Sequence, residues 1–222
     1  MYIMIKRILD FVISLTFFIL LLPVFGIISI SIMIDSRGPV IFTHKRIGLH
    51  GNPFEIYKFR TMKMDTPDCA TGELENPEQY ITKVGRFLRR SSLDELPQLI
   101  NVIRGDMSLV GPRPVIAAEK KLDQERLKRN VYSVRPGITG LAQIRGRDEV
   151  SVVQKARYDA VYVKKLSLKL DLYILLKTVK SVVCHEGIVE GKQKIALPDV
   201  KQKRNRVASN SAVQTISKQR AS

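Results

Sequence analysis

The 222-residue sequence has no tryptophan, two cysteines, three histidines, 7% aromatic residues, and 21 acidic side chains against 37 Lys and Arg. Cys69 and Cys184 are far apart with no metal-ligand spacing around them. That excludes a disulfide framework and a zinc module, and a reducing compartment is the expectation. No G-x-S-x-G occurs, neither Cys has a nearby His, and His44, His50 and His185 form no ligand cluster. Serine- or cysteine-based hydrolysis therefore has no support. There is no G-x-x-x-x-G-K-[ST], so a Walker phosphate loop is absent, and there is no internal repeat.

What is present is apolar mass and positive charge. Hydrophobic residues make up 45% of the chain, enough for a core, and its length suits one or two domains. The formal charge is +16 and the pI about 10.0, which favours anionic partners: nucleic acid, phosphorylated ligands or an acidic lipid surface. After Val200 the chain carries Lys201, Lys203, Arg204, Arg206, Lys218 and Arg220 with no acid and no periodicity. This reads as a disordered basic tail, and it supplies six of the sixteen net charges.

Phe11 to Ile34 is a run of 24 residues without a charge. A straight helix of that length spans a bilayer core of ~30 Å. The run exceeds a signal-peptide core, and no A-x-A-like site follows it. Pro23 near its middle removes a helical hydrogen bond and bends the helix. Basic residues flank both ends, Lys6 and Arg7 before, Arg37, Lys45 and Arg46 after. The positive-inside rule places both flanks on one side. From these features alone a re-entrant helix and a simple span stand level.

Beyond it, Val40–Arg46 and Phe54–Arg60 read as a hairpin joined by a Gly/Asn/Pro turn, with Phe54, Ile56, Lys58 and Arg60 on one face. Residues 64–79 form an acidic polar loop. Tyr80–Arg90 is a basic amphipathic helix suited to a membrane interface. Leu93–Arg104, Val115–Asn130, Val150–Leu166 and Leu168–His185 are expected to be helical, with turn regions at Gly105–Pro114 and Ser133–Asp148. In the last helix Leu172, Leu175, Leu176, Val179, Val182 and Val183 form an apolar face, expected to cover the core rather than dip into lipid.

Three stretches could carry chemistry. Ser92-x-x-Glu95 fits a capping box, the bland reading. Asp94 and Glu95 beside Arg89 and Arg90 are expected to stay ionised, so an ionised Asp there could attack a phosphorus or hold Mg²⁺ on a diphosphate. Gly111-Pro112-Arg113-Pro114 holds an Arg on a stiff turn, where its fork loses little entropy on meeting a phosphate; the alternative is an incidental surface Arg. Arg135-Pro136-Gly137-Ile138-Thr139-Gly140 and Arg145-Gly146-Arg147 are turns whose N–H groups and cations could face an anion, a weak signal alone. Lys58 and Arg60 offer another cationic pair.

Lys58-Phe59-Arg60-Thr61-Met62, Ser92–Gln98, Gly105-Asp106-Met107-Ser108, Gly111–Pro114 and Arg135–Gln143, in this order, resemble the bacterial sugar transferases, or monotopic phosphoglycosyltransferases, over about residues 3–185. The resemblance is greatest to small members such as the Campylobacter N-glycosylation enzyme. It implies transfer of a sugar 1-phosphate from a UDP-sugar to a polyprenyl phosphate, with release of UMP, at the cytoplasmic face of the bacterial inner membrane. By resemblance Asp94 is the nucleophile, Glu95 assists with a proton or metal placement, and Mg²⁺ sits at the Asp-Glu pair. Lys58, Arg60, Arg89 and Arg113 then hold phosphates, with Arg135, Gly137, Thr139, Gly140 and Arg147 near the nucleotide.

The implied fold is α+β and mostly helical: a re-entrant membrane helix in 1–36 kinked at Pro23, a catalytic domain in 37–190 with a short β-hairpin and interfacial amphipathic helices, and a tail in 191–222. One departure is Leu22-Pro23, where close relatives place a Ser whose hydroxyl can satisfy a carbonyl freed by the Pro. It leaves the sharpness of the bend open. The competing readings are a membrane-tethered nucleic-acid-binding protein, which the lack of interleaved aromatics disfavours, and a non-catalytic adaptor in which Asp94 merely caps a helix.

Overall fold

The structure, a computed structural model, describes residues 2–67, 76–146 and 150–183, without the side chains of 182 and 183; all belong to one compact unit, Met1–Val189. The expectations for Cys69, Cys184, Arg147 and the tail 191–222 lie outside the described residues. Twelve elements occur among those described. They are α1 (Tyr2–Leu20), α2 (Leu22–Asp35), β1 (Ile41–Ile47), β2 (Pro53–Phe59), α3 (Lys83–Ser91), α4 (Gln98–Arg104), β3 (Ser108–Val110), α5 (Lys120–Leu127), β4 (Gly137–Thr139), α6 (Leu141–Ile144), α7 (Val152–Lys164) and α8 (Leu168–Val183).

The apolar segment is two helices, α1 and α2, bent by 60° at the Leu21–Pro23 break. No single described helix is long and apolar enough to cross a membrane. The bend forms without a Ser before the Pro; Ser29 and Ser31 donate to their own i−4 carbonyls, Phe25 O and Ile27 O, further along α2. Both outer ends of the pair fasten to the same body. At the start, Arg7 donates to Val102 O and Ile103 O (2.6 and 2.9 Å), carbonyls in the last turn of α4, where a cation is favoured by the helix dipole. At the end, Asp35 accepts from Val84 N in the first turn of α3, where Thr82 also caps Gly85 N.

Lys6 pairs with Asp171 of α8 at 2.7 Å and lies 3.6 Å from buried Asp10, which accepts from the Ser108 hydroxyl of β3. Tyr2 and Tyr162 also donate to Asp171. The flanking cations Lys6 and Arg7 are thus spent on the protein itself.

The expected hairpin is present: β1 and β2 pair antiparallel from Ile41↔Phe59 to Ile47↔Pro53. Beneath it Ile28 and Ile32 of α2 pack with Phe59 and Leu88. A second, parallel pair of β3 and β4 was not legible: Ser108↔Gly137 and Val110↔Thr139 lie in stretches expected to be turns. Each strand has three residues, too few for a period-two pattern.

Several boundaries move. The basic helix starts at Lys83, because Ile81 bridges Met62 and Thr82 is the cap. The fifth helix starts at Lys120, because Val115, held extended after Pro114, pairs with Ile47. In α8 the apolar face is corrected. Leu172, Leu176 and Val179 point outward at 55–64% exposure, while Ile174 is fully buried against Val110, Leu141 and Tyr162. Asp171 on the inner side is what holds Tyr2, Lys6 and Tyr162, so a polar network rather than the apolar stripe orients the helix.

Candidate active site

The capping box at Ser92 does not form. Ser92 ends α3 in the left-handed region (φ 57°), makes no side-chain cap, and turns the chain into a single 3₁₀ turn, Leu93–Glu95. Pro97 then precedes α4. This turn presents Asp94 and Glu95, half-buried, between the two helices. A non-glycine residue at positive φ costs of order 1 kcal/mol, so packing on both sides must hold it.

The two carboxylates differ. Glu95 Oε1 accepts from Lys58 Nζ at 2.7 Å and from Arg113 at 3.0 Å. Burial would raise its carboxyl, but the charges and hydrogen bonds of Arg113 and Lys58 outweigh that and hold it well below the usual range. Asp94 goes the other way. Burial, helped by the neighbouring Glu95 charge, pushes it up to about 6, against the pull of Lys58, Arg89 and Arg113. The two carboxylates thus hold their charge unequally, because Glu95 has direct cation partners and Asp94 has none among the described ion pairs.

Each cation is positioned by a second contact. Lys58 is on β2, whose edge is fixed by buried Asn101: its Nδ2 donates to Glu55 O and its Oδ1 accepts from Tyr57 N. Arg89 donates from Nε to Thr61 Oγ1 at 3.0 Å. The Arg113 turn is braced by Gly111 N–H to Thr139 O, Gly137 N–H to Pro112 O, and Arg126 to Arg113 O at 2.7 Å. Arg126 is itself locked by a buried pair with Asp159, 2.6 Å away.

Other expected residues are placed differently. Arg60 is buried and donates to Ser36 O and Oγ at the foot of α2, so it anchors the apolar helix pair instead of pairing with Lys58 on the strand face. Gly137 and Gly140 are not an open anion turn. A Cβ on Gly137 would lie 2.0 Å from Gly111 N, and one on Gly140 2.1 Å from Gly111 O, so both allow β4 to close on the Arg113 turn. Thr139 bonds Thr178 at 2.7 Å, and Arg135 donates to Gly105 O. Arg135 lines a separate cavity of about 200 Å³ with Lys6, Arg7 and His50.

The cleft at Glu95 is narrow, about 20 Å³, and is lined by Arg46, Ile56, Lys58, Glu95, Gln98, Arg113 and Pro114. Arg46 and Gln98 were not singled out as site residues from the sequence. Arg46 was read as a membrane-flanking cation, and Gln98 only as part of a motif. Asn101, Arg126 and Asp159 gave one faint signal, a carboxylate among the alanines of the inward face of α7.

No cluster of three metal-ligating side chains occurs among the described residues. Asp94 and Glu95 still fit a hard cation of the kind completed by substrate. Mg²⁺ is held by one or two carboxylates with phosphates and waters filling the octahedron. Both protein cations use Oε1 of Glu95, which leaves its Oε2 and the Asp94 carboxylate as the oxygens for it.

A half-buried acidic pair with unequal affinities for protons, set among fixed cations, defines a site suited to phosphate chemistry. A family model described as bacterial sugar transferase matches residues 1–185. The chain is 50% identical over 150 residues to "Uncharacterized sugar transferase EpsL" of Bacillus subtilis, covering 68% of this chain and 73% of that protein. It is 43% identical over 187 residues to the UDP-glucose:undecaprenyl-phosphate glucose-1-phosphate transferase of Caulobacter vibrioides, covering 80% and 69%. With the exopolysaccharide production protein ExoY of Rhizobium meliloti it shares 40% over 200 residues, covering 83% and 88%. The chain belongs to the bacterial sugar transferase family. Its activity is that of a phosphoglycosyltransferase.

Proposed function

We propose that the protein transfers a sugar 1-phosphate from a UDP-sugar, of hexose or N-acetylhexosamine type, to membrane polyprenyl phosphate, releasing UMP. This would be the first membrane step of a surface glycan, and the relatives named for undecaprenyl phosphate and exopolysaccharide production support it. The observation that carries the mechanism is the division between Asp94 and Glu95. An Asp94 oxygen attacks the sugar-linked phosphorus, and the bond to UMP breaks with its electron pair on UMP. A polyprenyl phosphate oxygen then attacks the same phosphorus and the Asp94–phosphorus bond breaks, restoring the carboxylate.

Lys58, Arg89 and Arg113 lower the barrier of bringing anions together, which is where phosphoryl transfer is won. Glu95, held below the usual carboxylate range, is a poor base while paired, which favours a placing role over proton removal. Mg²⁺ at the two carboxylates would neutralise donor phosphate charge when bound.

Membrane association through α1 and α2 is supported by their exposed Ile, Leu, Phe and Met side chains. Because both outer ends of the bent pair are bonded to one body, re-entry through one leaflet is favoured over a span, with the catalytic domain on the cytoplasmic face. The test is UMP release by detergent-solubilised protein with Mg²⁺, polyprenyl phosphate and a panel of UDP-sugars. Release with one donor, lost in Asp94→Asn and on chelation, is expected. No release from any donor by folded, lipid-bound protein would overturn the proposal.

A further inference from the structure

Two polar side chains lining the Glu95 cleft each leave a buried nitrogen without a hydrogen-bond partner. Gln98 is 2% exposed, and its amide nitrogen is buried with no partner; the Nε of Arg46 is in the same condition. Buried donors are normally satisfied, and an unsatisfied one in a native protein calls for an explanation. Arg46 is also in a costly place. It is desolvated and its charge is opposed by that of Arg113 and offset in part by Glu119 and Glu95, neither of which forms an ion pair with it among the described residues. Two structural Arg side chains have what Arg46 lacks: Arg126 carries Asp159 and a carbonyl on its guanidinium, and Arg60, with Nε and Nη1 also unpartnered, is held by Ser36 at Nη2.

The lining of the cleft is mostly cationic: Arg46, Lys58 and Arg113 stand around one carboxylate, Glu95. A diphosphate esterified at both ends spreads two negative charges over two phosphorus atoms, whereas a lipid phosphate monoester carries about −1.5 to −2 on a single one. The cleft of about 20 Å³ holds roughly one water, with Glu95 Oε1 as the oxygen on which Lys58 and Arg113 converge. An entering phosphate oxygen replaces that carboxylate oxygen as their partner and meets the unpaired donors behind it.

We infer that Arg46 and Gln98, with Lys58 and Arg113, form the cradle for the donor's diphosphate. The inference rests on the proposed reaction for the donor's identity and on the unpaired donors for the site. Arg46 supplies charge and a planar fork to one phosphate, and the Gln98 amide donates to a phosphate oxygen from the floor of the cleft.

The test compares wild type with Arg46→Gln, Arg46→Lys and Gln98→Leu, using UDP and inorganic pyrophosphate as probes. Ligand-induced thermal shifts give affinities, and KM is measured separately for UDP-sugar and polyprenyl phosphate. Gln98→Leu removes an unsatisfied polar group without changing bulk, so its unliganded melting temperature is expected to equal or exceed that of wild type. Affinity for UDP and pyrophosphate should fall about tenfold or more in Arg46→Gln and Gln98→Leu, as loss of a charge-assisted or buried hydrogen bond predicts. KM for UDP-sugar should rise in step while that for polyprenyl phosphate stays within about twofold, and Arg46→Lys should recover part of the loss.

Unchanged UDP affinity with a lowered melting temperature would make both residues structural and overturn the inference. A change confined to the KM for polyprenyl phosphate would overturn the assignment to the donor. Wild type that binds pyrophosphate through Arg46 yet releases no UMP would leave the cradle standing and remove the reaction, so the two failures are separable.

Discussion

At the scale of single residues, Asp94 carries opposed demands. Burial raises its carboxyl from 3.8 to about 6, so folding favours the protonated form, whereas the proposed attack on phosphorus needs the anion. The stabilising contribution is therefore complete below about pH 4 and is lost as pH rises through 6; above that, the buried charge costs up to about 3 kcal/mol at 1.36 kcal/mol per unit. Asp94→Asn should raise the melting temperature at pH 8 and lose the advantage toward pH 4, while transfer falls by at least ~10³-fold, the scale for a missing nucleophile. A mere cap would instead lose stability and keep its rate. In wild type, UMP release measured from pH 5 to 8 should rise through a midpoint near 6; a flat profile would detach the rate from this carboxylate.

At the scale of elements, the parallel pair β3–β4 sets the Arg113 turn. Gly137 and Gly140 approach the Gly111 backbone so closely that a methyl meets main-chain atoms near 2 Å, which no flexible side chain can relieve. Gly140→Ala is expected to cost about 1–3 kcal/mol or more and to move Arg113 away from Glu95. Urea unfolding and the KM for UDP-sugar would both register it. These glycines were legible as turn residues but not as a close approach, since three-residue strands carry no pattern and their pairing joins segments about 30 positions apart. Likewise the hairpin was readable from its period and turn, whereas the start of α5 was set by a bridge from Val115 to Ile47.

At the scale of the whole molecule, the Asp94-Glu95 turn hangs between two helices whose far ends are capped by the apolar helix pair: Asp35 of α2 serves the start of α3, and Arg7 of α1 the end of α4. The depth of the turn is thereby tied to the apolar pair. Lys6→Met should cost about 3–5 kcal/mol, because Asp10 and Asp171 stay buried without their shared ammonium. Thermal melting in detergent would show it. With Cys69 and Cys184 replaced, single cysteines at positions 3 and 38 should both react with an impermeant thiol reagent from one face of sealed vesicles; reaction from opposite faces would make the pair a span.

The sequence by itself determined the apolar run and its break at Pro23, the hairpin, the Asp94-Glu95 pair with its cations Lys58, Arg89 and Arg113, and, through ordered motifs, the family. Those features are local: a period, a proline, a run of side-chain types. Only the tertiary structure decided which carboxylate is paired with cations and which is left desolvated without a direct ion pair. It also decided that Arg60 anchors a helix, that Gly137 and Gly140 are packing residues, and that Arg46 and Gln98 line the cleft. Solvation and pairing depend on distances between segments far apart in the chain, and one-dimensional spacing does not encode them.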